Sequence, residues 1–189
     1  KESRARSALH EALSALPGPI PDIKHIGAAW DEAREWFDAR QEELRRFHAD
    51  RAREDDINVV LLGRPYVVAD ASMNKDIPRL FAETGARVFD MDMFPDAGGE
   101  ELPWSYAAKI MDTAERIAMT PGTYPVLVTS FMCSPDSFVV PYVRELLEKK
   151  GKPYLILELD GHGSSVGYGT RVEAAVRSFR NHFAQKGPA

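Results

Sequence analysis

The chain carries one cysteine, Cys133, in the segment Phe131-Met132-Cys133-Ser134-Pro135-Asp136-Ser137-Phe138. An apolar run precedes this segment and a helical pattern follows it. Ser134 suits the N-cap of that helix, Pro135 its first turn, and Asp136 complements the positive end of the dipole. A cysteine just outside such an end meets backbone amides that favour a thiolate, the form that ligates metal or attacks an electrophile. Most free cysteines are instead small buried hydrophobes, and from this segment alone the two readings stand level. Tyrosine-phosphatase chemistry is excluded, because the arginine it needs six residues on is replaced by Val139.

Two other segments offer reactive side chains. Gly63-Arg64-Pro65-Tyr66, with Asp70 and Asn74 following, supplies a cation, a phenol and an amide. Arg64 is the natural hold for a carboxylate or phosphate; the competing reading pairs it with Asp90 or Asp92 inside the fold. The third segment, Glu158-Leu159-Asp160-Gly161-His162-Gly163, continues to Gly167, Thr170, Arg171 and Glu173. Its glycines lie between a strand and a helix, but their spacing does not fit the dinucleotide fingerprint. His162 could act as acid, base or ligand, or be a solvated loop histidine.

These segments need elements to place them. Apolar residues at helical spacing predict a first helix from Ser3 to Leu16, interrupted by Pro17, Gly18 and Pro19. Ile23, Ile26, Trp30, Ala33, Phe37, Leu44 and Phe47 then describe a long helix with a narrow apolar seam, laid on this domain's own sheet or on a neighbouring domain. At Ile57 the period changes. Ile57 to Leu62 is a continuous apolar run ending at Gly63, as in a strand buried on both faces. A helix from Ile77 to Gly85, a strand from Ala86 to Asp92, and a helix carrying Ala107, Ile110, Ala114 and Ile117 follow. Further strands run from Tyr124 to Phe131 and from Lys152 to Leu159, each followed by a helix.

Alternating strands and helices make right-handed βαβ units, and hence a parallel sheet with helices on both faces. The expected fold is a four-stranded Rossmann- or flavodoxin-like α/β sheet of order 2-1-3-4. Residues 1–56 form an N-terminal helical segment and residues 57–189 the α/β subdomain. Ligands of such sheets bind beyond the carboxyl ends of the strands, where the winding reverses. The loops after Leu62 and Phe131 should therefore face each other.

Composition narrows the classes. A formal charge of -5 over 189 residues, with no basic stripe, argues against nucleic acid. No apolar run approaches membrane-spanning length. One cysteine excludes an internal disulfide, and every metal site needing two cysteines from this chain, and fits a reducing, cytoplasmic compartment. A start at Lys1 with no leader pattern is expected of a piece of a longer protein.

Taken in order, Gly63-Arg64-Pro65-Tyr66 with Asp70, Asn74, Ile77 and Pro78, then Cys133 with Pro135-Asp136-Ser137-Phe138, then Glu158-Leu159-Asp160 with His162, Thr170-Arg171 and Glu173-Ala174, carry a resemblance. From about Ile57 to Ala175 the chain resembles the 2-hydroxyacyl-CoA dehydratase-related proteins, specifically the dehydratase-like region of the large activase-related fusion proteins. Ser134 stands where that family usually has glycine, and Gly163-Ser164-Ser165-Val166 departs from its His-Ser-Ala-Asp pattern. The resemblance implies an oxygen-sensitive iron-sulfur cluster, of the 4Fe-4S kind, between α/β subdomains. It also implies reduction by an ATPase activator module and an acyl-CoA substrate. Cys133 matches the cysteine before Pro-Asp-Ser and would be a cluster ligand, with Arg64 opposite it. Tyr66, Asn74, Asp136, Ser137, His162 and Arg171 are candidate substrate- or anion-contacting residues. The other cluster cysteines are not in this chain, so the isolated fragment is expected to be empty and inert. The competing reading is a non-catalytic α/β module that binds a small anion or docks the ATPase.

Overall fold

The computed structural model describes residues 2–94, 104–130, 133–159 and 166–186. The chain divides into two compact units, Lys1–Arg46 and Phe47–Ala189. In the first, helix α1 (Glu2–Ser14) is tied by the ion pair of Arg6 with Asp31 to α2 (Ile23–Arg51), whose last turn belongs to the second unit, and Ile26 is buried.

The second unit holds a four-stranded, all-parallel sheet in the order β2-β1-β3-β4. Its strands are β1 (Asn58–Leu62), β2 (Arg87–Asp90), β3 (Thr123–Ser130) and β4 (Leu155–Leu159). Every residue of β1 is buried, which explains why its sequence shows no polar alternation. Period two still divides it. Val59 and Leu61 enter one core with Phe81 of α4 (Ile77–Glu83) and Phe179 of α7 (Val166–Lys186). Val60 and Leu62 enter the other, with Ile110 and Ile117 of α5 (Ser105–Met119) and Val143 and Leu147 of α6 (Ser134–Lys149). Among the described residues no helix is long and apolar enough to cross a membrane.

The expected order and parallel sense are found, and Gly85 takes the left-handed conformation (φ 84°) expected after α4. Three features differ from expectation. The second strand ends at Asp90 rather than Asp92, because the Asp90 carboxylate accepts from the Asp92 amide and starts a tight turn over Met91–Met93. The fourth begins at Leu155 rather than Lys152, whose ammonium instead folds onto the Thr120 carbonyl at 2.6 Å, at the end of α5. The short helix α3 (Pro65–Val68) has no signal in the sequence, since four residues carry no period.

Asp90 provides a pH test of this core. Burial pushes its pKa from 3.8 up to about 6, against the amide of Asp92 and the charge of Lys109. The folded state thus holds a proton more tightly than the unfolded one. Stability falls as pH rises from near 4 through about 6, and the loss is complete above that. Asp90→Asn keeps an acceptor for Asp92 and should stabilise the domain by about 1–2 kcal/mol at pH 8 and not at pH 4. Urea midpoints at the two pH values measure this; equal effects at both would show that Asp90 is not desolvated.

Candidate functional site

The loop that leaves β1 meets the start of α6 beyond the carboxyl end of the sheet. Gly63 sits against the backbone of β3: a Cβ there would lie 2.4 Å from the Val128 carbonyl oxygen. This close approach carries Arg64 and Tyr66 toward the start of α6. Arg64 Nε donates to Asp136 Oδ1 at 2.9 Å, with Asp136 0% exposed and Arg64 19%. The competing pairing of Arg64 with Asp90 or Asp92 is replaced by this one; Asp92 pairs with Lys109 at 2.5 Å. The Arg64 guanidinium carbon also lies 5.5 Å from the centre of the Tyr106 ring.

Cys133 itself occupies the N-cap position of α6, with no side-chain cap bond, and Ser134 is the first helical residue. The expectation of a Ser134 cap is therefore corrected by one position. Pro135 takes the first turn, the Cys133 carbonyl accepts the Ser137 amide at 3.0 Å, and the Ser137 hydroxyl donates to the same oxygen at 3.1 Å. Asp136 is in the first turn, yet its main partner is Arg64 rather than the helix end.

Arg64 and Tyr66 both lie within electrostatic reach of Cys133. Burial works against the Arg64 charge, but Asp136 and then Cys133 favour it more, so its pKa stands above the ordinary value. Tyr66 is half exposed; partial desolvation, then the neighbouring Cys133, raises its pKa, with Arg64 opposing. Cys133 is half-buried.

The other candidates go elsewhere. Asn74 donates from Nδ2 to the Val68 carbonyl at 2.9 Å and accepts the Asp76 amide at 3.0 Å. Both ends of this buried amide serve their own loop, where Lys75 and Asp76 have positive φ. Arg171 donates to the Ile156 carbonyl at 2.6 Å. His162 lies outside the described residues, as do Phe131 and Met132. Tyr106 had no signal in the sequence, being one aromatic in an amphipathic helix. Nor had the stacking of Trp104 on Phe138, 5.7 Å between ring centres, beside the start of α6.

A second polar cluster occupies the opposite, amino end of the sheet. Tyr124, fully buried and stacked on Phe179, bonds His182 Nδ1 at 3.0 Å, and burial pushes its pKa to about 12. Lys152 lies over the same ring. These contacts tie α5, α7 and β3 together, at the end of a parallel sheet that ligands do not use.

Among the described residues no group of three or more His, Cys, Asp or Glu side chains could hold a metal ion. A thiolate-bound cluster takes several sulfurs, so the chain by itself does not fit a complete cluster site, and Cys133 can be one ligand of a larger set.

No curated protein and no solved structure matches the chain. Residues 2–94 match the family model described as the CoA enzyme activase uncharacterised domain, a stretch that includes Arg64, Tyr66 and Asn74 and stops before Cys133. Across that stretch the chain is similar to an activase-related domain family.

Proposed function

We infer that the chain is an iron-sulfur cluster-binding subdomain of an ATP-dependent low-potential reductase of the 2-hydroxyacyl-CoA dehydratase-like kind. Cys133 contributes one sulfur, and flanking α/β subdomains complete the ligand set. An ATPase activator module supplies electrons, and an acyl-CoA is the class of substrate. The observation that supports this reading is the bond of Arg64 to Asp136, three residues into the helix that Cys133 caps, which sets a cation, with Tyr66, near the cysteine at the carboxyl end of a parallel sheet. A sulfur that only fills space has no need of polar neighbours. Charged and polar groups near a cluster sulfur, by contrast, stabilise its negative charge and tune its potential. The activase-related match of residues 2–94 supports the ATP-dependent context.

The test is iron content. In the full-length protein prepared without oxygen, Cys133→Ser should lose most of its bound iron while keeping its circular dichroism, because serine is close to cysteine in size. Unchanged iron would remove Cys133 from the ligand set. The second reading, a module that binds a small anion or docks the activator, draws on the incomplete ligand set and would then take over.

A further inference from the structure

We propose that the last turn of α2 is latched to the sheet by a neutral imidazole at His48, and that protonation of this ring releases the turn, so that mild acid loosens the junction between α2 and β1.

His48 stands in the last turn of α2, which belongs to the same compact unit as the sheet. Its ring packs on two buried aromatics. The centre of the Phe89 ring on β2 is 4.7 Å away, close to edge-on at 78°, and that of Phe94, just after Met91–Met93, is 4.4 Å away. Four residues on, Ala52 packs against the same core, and its amide donates to the His48 carbonyl at 2.8 Å. The side chain that seats this turn is therefore a polar one in apolar surroundings. Nε2 is buried and has no hydrogen-bond partner among the described residues. A neutral ring can leave that nitrogen without a proton; an imidazolium cannot, because both of its nitrogens carry hydrogens.

The charged groups around the ring are occupied with one another. On α2, Arg45 and Arg51 flank His48 by one turn on either side; β2 brings Arg87 and Asp90, the tight turn Asp92, α5 Lys109, and the segment before β1 Asp56. Asp90 accepts from the Asp92 amide, Asp92 pairs with Lys109, and Arg87 pairs with Asp56 at 3.3 Å. Among the described residues no carboxylate bonds the imidazole to offset a charge on it. The carboxyl end of a helix and the faces of aromatic rings both favour a cation. A buried charged N–H without an acceptor outweighs them, and desolvation holds the pKa of His48 below the ordinary value of 6.5. A folded value below the unfolded one means that the latch contributes in full above 6.5 and is lost as pH falls below it. Asp90, which titrates near 6, works in the opposite sense, so loosening in acid cannot come from that residue.

The experiment is a proton NMR titration of the full chain, with the His48 signal assigned by its loss in His48→Gln. His48 should titrate below 6.5, and its cross-relaxation with the Phe89 and Phe94 rings should disappear with the same midpoint. Protection of the Ala52 amide against hydrogen exchange, corrected for the intrinsic rate, should fall about five- to tenfold between about pH 7.5 and about pH 5.5. In His48→Phe, which keeps an apolar ring at every pH, that fall should be absent. Titration of His48 at or above 6.5 would show that the helix end and the rings win, and the latch fails. Ring contacts that persist in the charged form would show that protonation releases nothing. A fall in Ala52 protection that survives in His48→Phe would give the sensing role to another group. Should His48→Phe not fold, the titration and ring contacts of the unaltered chain decide by themselves.

Discussion

Arg64→Ala is expected to cost the domain about 3–5 kcal/mol, read as a lowered urea midpoint at neutral pH. The cause is the partner left behind. Asp136 is fully buried, its Oδ1 depends on Arg64, and its Oδ2 already has no partner among the described residues. Without the guanidinium the helix must carry an uncompensated buried charge. Arg64→Met with Asp136→Leu should recover most of the loss, since apolar pairs of similar volume replace buried ion pairs with little penalty. A loss under about 1 kcal/mol in the single variant would place this pair with surface ion pairs.

Gly63→Ala should cost at least about 2–3 kcal/mol, the range of a strained backbone position with a hard contact. The added methyl would meet a carbonyl oxygen of β3 at 2.4 Å and a methyl of Val68 at 3.1 Å. The first of these belongs to the backbone of an interior strand, which cannot swing aside as a side chain would. Relief must come from moving the loop that carries Arg64 and Tyr66. Stability and the reactivity of Cys133 should therefore change together. A stable Gly63→Ala variant with unaltered Cys133 labelling would show that the two loops are positioned independently.

How much of the fold and of the crevice is legible from the residues follows from the range of the interactions. The sheet order comes from the continuous apolar run at Ile57 to Leu62 and the alternation of strand and helix patterns, both local signals with one favoured handedness. The facing of the Arg64 and Cys133 loops follows from that order. The pairing of Arg64 with Asp136 does not, because 72 positions separate them and Asp90 and Asp92 lie nearer in sequence. Asn74 looks like a ligand-facing amide for the same reason that it suits the place it holds, since asparagine bonds backbone on both sides and stabilises loops at positive φ. The N-cap is misplaced by one residue because Ser134 has the better capping chemistry, whereas Cys133 takes the position without using its side chain to cap.

Arg171 has a consequence for how the molecule meets its own kind. Among the described residues strand β4 pairs with β3 alone, so its far side is there a sheet edge, the feature through which sheets recruit additional strands. From the first turns of α7, Arg171 reaches back and occupies the Ile156 carbonyl near the start of that strand. A cation laid on the backbone of an edge strand both consumes an acceptor and sets a charge in the path of an incoming chain. The side chain is thus a guard against intermolecular strand addition, acting whenever two copies collide edge to edge.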